Sequence, residues 1–279
     1  MSDRFLLVLD MDNTLYDWRA HFCSVFVPAV AALSDLICES TVALKRQFRT
    51  IHKDEGHREW ASAIRRLPSV TTWARGNPKR TAQVDDLVLH FVEVGRSSLQ
   101  AYCGVEETLT RIAGAGWVVV VFTESPALDA TERLRGMNIL NKVDAVYGTS
   151  RSNDATPLDA AVVHLPRFTK PAPEVLRSIV RRHQATPGTA IYVGDSLTRD
   201  VPMAQKSGVT GVWARYGAVV EPRHRHIISE VSCWAAEKVD RELGPQSAGE
   251  YRAPFAIESF PEIIQVLAAK YPSCRIEPG

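Results

Sequence analysis

The chain has 279 residues, of which 45% are hydrophobic and 23% charged, with a formal net charge of +1, as in an ordinary soluble globular protein. That near-neutral balance excludes a general electrostatic attraction to nucleic acid or to a membrane surface, and no segment approaches the ~20 apolar residues that span a bilayer. Cys23, Cys38, Cys103, Cys233 and Cys274 are widely spaced with no CxxC pattern, which argues against a disulfide framework or a zinc site and for thiols in a reducing cytoplasm.

At the N-terminus, Asp3 and Asp10 bracket an apolar run too short for a signal peptide, so a cytoplasmic protein is expected. That run, Phe5 to Leu9, reads as a strand buried on both faces, as in a parallel sheet. It ends abruptly in Asp10-Met11-Asp12-Asn13-Thr14. Open α/β sheets bind ligands outside the carboxyl ends of their strands, so this carboxylate pair is the first candidate for chemistry.

Helical periodicity follows. Val25, Val30, Leu33 and Leu36-Ile37 recur at helical intervals, with Pro28 as a kink or a start. Phe48, Ile51, Trp60, Ile64 and Leu67 keep near-helical spacing through a charged stretch that Pro68 closes. After the turn signals Gly76-Asn77-Pro78, the residues Val84, Leu87, Val88, Phe91 and Val94 form another periodic set. Residues 17–98 therefore read as an all-helical insert. Within it Arg46, Arg49, His52, Lys53, His57 and Arg58 cluster, either as a solvated helix face or as an electropositive lid for an anionic metabolite. Trp18, Trp60 and Trp73 read as core of this insert.

From Gly104 the pattern changes to strands alternating with helices, the mark of βαβ units. A helix from Glu106 to Ala113 precedes a strand from Trp117 to Phe122, with Thr123-Glu124-Ser125 at its carboxyl end. A helix from Pro126 to about Arg135 leads to a weaker strand, Val143 to Tyr147, and then to a polar stretch before Lys170-Pro171. Pro173 opens the next helix. Ala190 to Val193 is a strand ending in Gly194-Asp195-Ser196, Thr198 and Gly208 are the expected ends of the following helix, and Val209 to Ala214 is the last strand. Segments 149–169 and 217–254 stay unassigned, and His224 and His226 read as solvated residues of a surface loop.

Asp10, Asp12, Thr123, Lys170, Asp195 and Asp200 all fall at or beside strand ends. Each alone has a plain structural explanation as a turn, a strand-end hydroxyl or a surface charge. In a parallel sheet, however, all carboxyl ends lie on one edge, so groups ~190 residues apart can converge there. As a set the chain resembles the haloacid dehalogenase (HAD) superfamily of phosphohydrolases: Asp10-Met11-Asp12-Asn13-Thr14 is similar to its DxDxT motif, Thr123 to its strand-end hydroxyl, Lys170 to its lysine motif and Gly194-Asp195 through Asp200 to its GDxxxxD form. The resemblance implies an α/β fold, a Rossmann-like parallel sheet core (1–16 and 99–279) with an inserted all-helical cap domain (17–98).

The resemblance also implies a Mg²⁺-dependent phosphatase acting on a small phosphorylated metabolite. Asp10 would be nucleophile and metal ligand, and Asp12 the acid and base, lending its carbonyl to the metal. Asp195 and Asp200 would complete the metal site, Asp200 by orienting Asp195, a bound water or Lys170. Thr123, the amide of Glu124 and Lys170 would bind the phosphate, and Thr14 would hold the loop. A hard cation suits such an oxygen-rich site. Because dehalogenation needs neither a protonated leaving group nor a metal, Asp12 favours phosphate-ester hydrolysis. The alternatives are a phosphotransferase, a phosphonatase, for which Lys45, Lys53 or Lys79 could be nominated, and a phosphometabolite-binding or regulatory protein on the same scaffold.

Overall fold

A computed structural model describes residues 4–55, 60–150, 161–166, 168–244 and 251–272. The chain forms two compact units, one from Met1–Asp17, Gln100–Val219 and Pro245–Gly279, the other from Trp18–Leu99 and Val220–Gly244.

The first unit is built on a seven-stranded sheet: β1 (Leu6–Leu9), β2 (Val118–Pro126), β3 (Ala145–Thr149), β4 (Val162–Leu165), β5 (Ala190–Gly194), β6 (Thr210–Ala214) and β7 (Phe255–Ile257). The order is β4-β3-β2-β1-β5-β6-β7 and every pairing is parallel. All four residues of β1 are fully buried, as its unbroken apolar run requires of a central parallel strand. Leaving β1, the chain lays down β2, β3 and β4 on one side, then returns to lay β5, β6 and β7 on the other. The order therefore reverses at β1, the switch point where such sheets open a crevice beyond their carboxyl ends. Leu9 is level with Val121 on one side and Val193 on the other, so Asp10 follows β1 beside Phe122-Thr123 of β2, which runs on to Pro126, and beside Gly194-Asp195 at the end of β5.

Several elements of this unit depart from the sequence expectation, beginning with the strand expected at Trp117 to Phe122, which runs on to Pro126 as β2 and so holds Thr123 inside it rather than at its end. The strand expected at Val143 to Tyr147 runs instead from Ala145 to Thr149, because Leu140–Lys142 forms a 3-10 turn just before it. β4 lies in a stretch read as merely polar. β7 and the helix Ile263–Lys270 lie in a tail read as irregular; three residues of strand are too few to show a period. The helix after β5 is Asp200–Ser207, and its N-cap is Arg199 rather than Thr198. The Ser196 hydroxyl, two residues earlier, accepts from the Arg199 amide. Gly208 ends that helix as expected, in the left-handed conformation at φ 74°, where glycine carries no Cβ penalty.

The second unit is helical: Trp18–Ile37, Thr41–Glu55, Trp60–Ala63, Pro68–Ala74, Pro78–Ser97, Pro222–Val231 and Ala236–Leu243. Phe22, Phe26, Val30 and Leu33 of the first helix meet Phe48, Ile64, Val84 and Val88, with Trp18, Trp60 and Trp73 packed around them. Phe22 stacks on Phe26, and Phe26 meets the edge of Phe48. Pro28 lies inside Trp18–Ile37. This helix is, by length and composition, apolar enough to cross a membrane, contrary to the sequence reading, yet its apolar face is spent on this core. Asn77 caps Pro78–Ser97 by accepting from the Arg80 amide, as the turn signals suggested.

Three expectations for this unit need correction. Val220–Gly244, read as part of the sheet domain, supplies Ile228, Val231, Val239 and Leu243 to the helical core. His224 is buried on a helix, although His226 is exposed. The basic cluster is not one face. His52 is fully buried with Nδ1 2.9 Å from the Val231 carbonyl, Arg46 and Lys53 are exposed, and His57 and Arg58 lie outside the described residues. Among the nominated lysines, Lys45 is paired with Glu230 at 2.8 Å.

Candidate active site

The loop after β1 is held from several directions. The Asp10 amide donates to the Val193 carbonyl of β5 at 2.9 Å, and the Leu15 amide returns to the Met11 carbonyl at 2.9 Å. Asn13 has φ 60°, a conformation asparagine tolerates better than most residues. The Tyr216 hydroxyl donates to the Thr14 carbonyl at 2.6 Å. Gly217 lies so close that a Cβ there would sit 1.7 Å from the Asn13 oxygen, so only glycine lets the backbone after β6 support this loop.

Asp10 emerges from this loop into a buried cluster. The Lys170 ammonium donates to Asp10 Oδ1 at 2.6 Å and to the Tyr192 hydroxyl at 2.7 Å, and lies 3.1 Å from Asp200 Oδ1. Tyr192 in turn donates to Asp200 Oδ1 at 2.8 Å, while the Ser196 amide donates to Asp200 Oδ2 at 3.0 Å. Asp200 packs over Gly194, where a Cβ would lie 2.5 Å from its carboxyl carbon. Asp195 is 1% exposed, and the Trp213 indole donates to its carbonyl at 2.9 Å. Carboxylate oxygens of Asp10, Asp195 and Asp200 lie within 4.8 Å of one another.

Burial sets the electrostatics. Burial, joined by the charges of Asp200 and Asp195, raises the Asp10 carboxyl well above the usual range, against the pull of Lys170. Burial alone would lower Lys170, but Asp10, Asp200 and Glu124 outweigh it and hold the ammonium above its ordinary value. Burial would likewise raise Asp200, yet Lys170 and Arg199 outweigh it and the carboxyl is lowered. Three buried carboxylates beside one lysine leave negative charge uncompensated, which is costly in a low-dielectric interior. An oxygen-only donor set of that charge fits a hard divalent cation such as Mg²⁺.

Asp12 belongs to a different network. Its Oδ1 accepts from the Tyr16 hydroxyl at 2.8 Å and its Oδ2 from the Ser125 hydroxyl at 3.2 Å. Arg133, from the helix Ala127–Gly136, places Nη1 3.5 Å from Asp12 Oδ1. The Asp12 carboxylate is thus outside the three-carboxylate cluster. Thr123 is 1% exposed with Oγ1 accepting from the Ser125 amide at 3.1 Å. The Glu124 carboxylate pairs with Arg199 and accepts from the Lys170 amide at 3.1 Å, linking the strand end to the lysine loop.

The six carboxylate, hydroxyl and lysine residues picked out by sequence thus share one edge of the sheet unit. Tyr192, Ser125, Tyr16, Arg133, Trp213 and Gly217 were missed. Tyr192 and Trp213 fell within expected strands, Arg133 within the helix expected from Pro126 to about Arg135, and Gly217 at the start of an unassigned segment.

A family model for haloacid dehalogenase-like hydrolases matches residues 6–208. Among solved structures, the chain is similar to a 2-haloacid dehalogenase from Pseudomonas syringae pv. tomato (17% identity, TM-score 0.63, covering 95% of this chain and 99% of that one). It is also similar to a HAD phosphatase from Thermococcus onnurineus (22% identity, TM-score 0.54, 94% and 97% covered). A third, described as the HAD-hydrolase YfnB from Bacillus subtilis and bound to magnesium, has 16% identity and a TM-score of 0.55, with 95% and 99% covered. No curated protein matches the chain.

Proposed function

The chain belongs to the haloacid dehalogenase-like hydrolases, and from that premise we propose that it hydrolyses a small phosphomonoester, with Mg²⁺, through a phosphoryl group carried on Asp10. The observation that carries this reading is the combination of three buried carboxylates within 4.8 Å with a second acid, Asp12, held by hydroxyls two residues beyond the first. Displacing halide from a carbon atom needs neither of these, whereas cleaving a phosphate ester uses both.

In the first half-reaction an Asp10 oxygen attacks phosphorus, the bond from phosphorus to the ester oxygen breaks, and Asp12 gives its proton to the departing alkoxide. In the second, water attacks the same phosphorus and loses its proton to Asp12. The bond to Asp10 breaks, so phosphate leaves and both acids return to their starting states. Lys170 holds one Asp10 oxygen in place at 2.6 Å and presents a fixed positive charge to the phosphoryl oxygens. Thr123 and the Glu124 amide are the remaining proposed phosphate contacts. Asp10, Asp195, the Asp12 carbonyl and Asp200 would hold Mg²⁺, which when bound neutralises charge on the phosphoryl group.

Turnover of para-nitrophenyl phosphate with Mg²⁺ tests the reading, with halide release from a 2-haloacid run in parallel. Phosphate release that disappears with a chelator is expected. Halide release without phosphate release would replace the phosphatase by a dehalogenase, and activity surviving in Asp10→Asn would remove Asp10 as nucleophile.

A further inference from the structure

Asp12 is gripped by three side chains from three separate pieces of backbone. Tyr16, four residues on in the same loop, donates to one carboxylate oxygen and Ser125, at the end of β2, to the other. The Arg133 guanidinium stands 3.3 Å from the Ser125 hydroxyl and 3.5 Å from both the Tyr16 hydroxyl and Asp12 Oδ1. The Asp12 side chain is 27% exposed and Arg133 16%, so the carboxylate meets solvent on one side while its rotation is stopped on the other. The hydrogen bonds of the buried cluster instead join Lys170 to Asp10 and Tyr192, and Asp200 to Tyr192 and the Ser196 amide.

Resting on the phosphatase reading above, we propose that Tyr16, Ser125 and Arg133 are positioning residues that aim Asp12 at the leaving oxygen, and that the enzyme is built for alkyl phosphates. Proton transfer requires the acid within about 2.6–3.2 Å of its target, and an error of about 1 Å in placement can cost roughly a hundredfold in rate. The need for that proton grows with the basicity of the leaving group. An alkoxide cannot depart without it, whereas a nitrophenolate or a carboxylate can. Three constraints on one partly exposed acid therefore make chemical sense for an alcohol-derived monoester, such as a sugar or polyol phosphate, and little for an aryl or acyl phosphate.

A purely structural role for the clamp would affect all esters alike. The test compares kcat/KM for glycerol phosphate and for dinitrophenyl phosphate in the wild type, Ser125→Ala, Tyr16→Phe, Arg133→Met and Arg133→Lys, all with Mg²⁺. The loss in Ser125→Ala, Tyr16→Phe and Arg133→Met is expected to be about tenfold or more larger on the alkyl ester than on the activated one, with Arg133→Lys recovering part of it. Equal losses on both esters, or none, in all three variants would overturn the clamp while leaving the phosphatase reading intact. A wild type inert on both esters would overturn that reading and the clamp with it.

Discussion

Asp10 and Asp12 are neighbours in sequence and differ in almost everything else. Asp10 is 6% exposed and sits among charges buried with it: Lys170, Asp195 and Asp200, with Tyr192 wedged between the lysine and one carboxylate. Asp12 is partly open to solvent and is held by two neutral hydroxyls and one guanidinium. The first setting is over-determined, because removing its one ammonium strands Asp10 and Asp200 without water. The second is adjustable, since water can replace a lost partner at a partly exposed carboxylate. Substitutions around Asp10 should therefore cost both stability and activity, and substitutions around Asp12 mainly activity.

The contrast breaks most readily at Lys170. Lys170→Met leaves Asp10 and Asp200 buried with no cation, and urea denaturation in the absence of divalent metal should show a loss of about 3–5 kcal/mol. Gly217→Ala comes next. The new Cβ would push on the Asn13 carbonyl, and a strained close contact of this kind costs about 1–3 kcal/mol while displacing the loop that carries both acids. Its signature is a joint fall in denaturation midpoint and kcat. Tyr192→Phe removes one buried hydroxyl shared by Lys170 and Asp200, with an expected loss of about 1–3 kcal/mol in the same denaturation. Ser125→Ala alters only the Asp12 setting. Its stability should stay within about 0.5 kcal/mol of wild type, even though its activity on an alkyl ester falls. If Ser125→Ala destabilised the protein as much as Tyr192→Phe, the two settings would not differ as described.

Legibility in the sequence follows the same division. The residues on this edge of the sheet were readable because apolar runs change abruptly to Asp10, Thr123 and Asp195, although β2 itself continues past Thr123 to Pro126. The residues that reach the site from the middle of an element were not. Tyr192 occupies a strand position where any large apolar residue would be expected, and only its hydroxyl, 2.7 Å from Lys170, gives it a role. Arg133 lies on the helix after β2, and no local pattern distinguishes it from Arg135, which faces Glu132 instead. Val220–Gly244 failed for another reason. Its helices are short, and membership of a unit depends on contacts across the ~120 residues between Leu99 and Val220, which periodicity cannot register.

Transfer of a phosphoryl group to Asp10 in a Mg²⁺-dependent step should be caught with Asp12→Asn and dinitrophenyl phosphate. That ester needs no acid to form the intermediate, while the missing base slows its hydrolysis, so the intermediate should accumulate. Acid quenching followed by peptide mass mapping should find one phosphoryl group on the peptide containing Asp10, and none after chelation of Mg²⁺ or in Asp10→Asn. A phosphoryl group on any other residue, or undiminished dinitrophenol release by Asp10→Asn, would contradict the account.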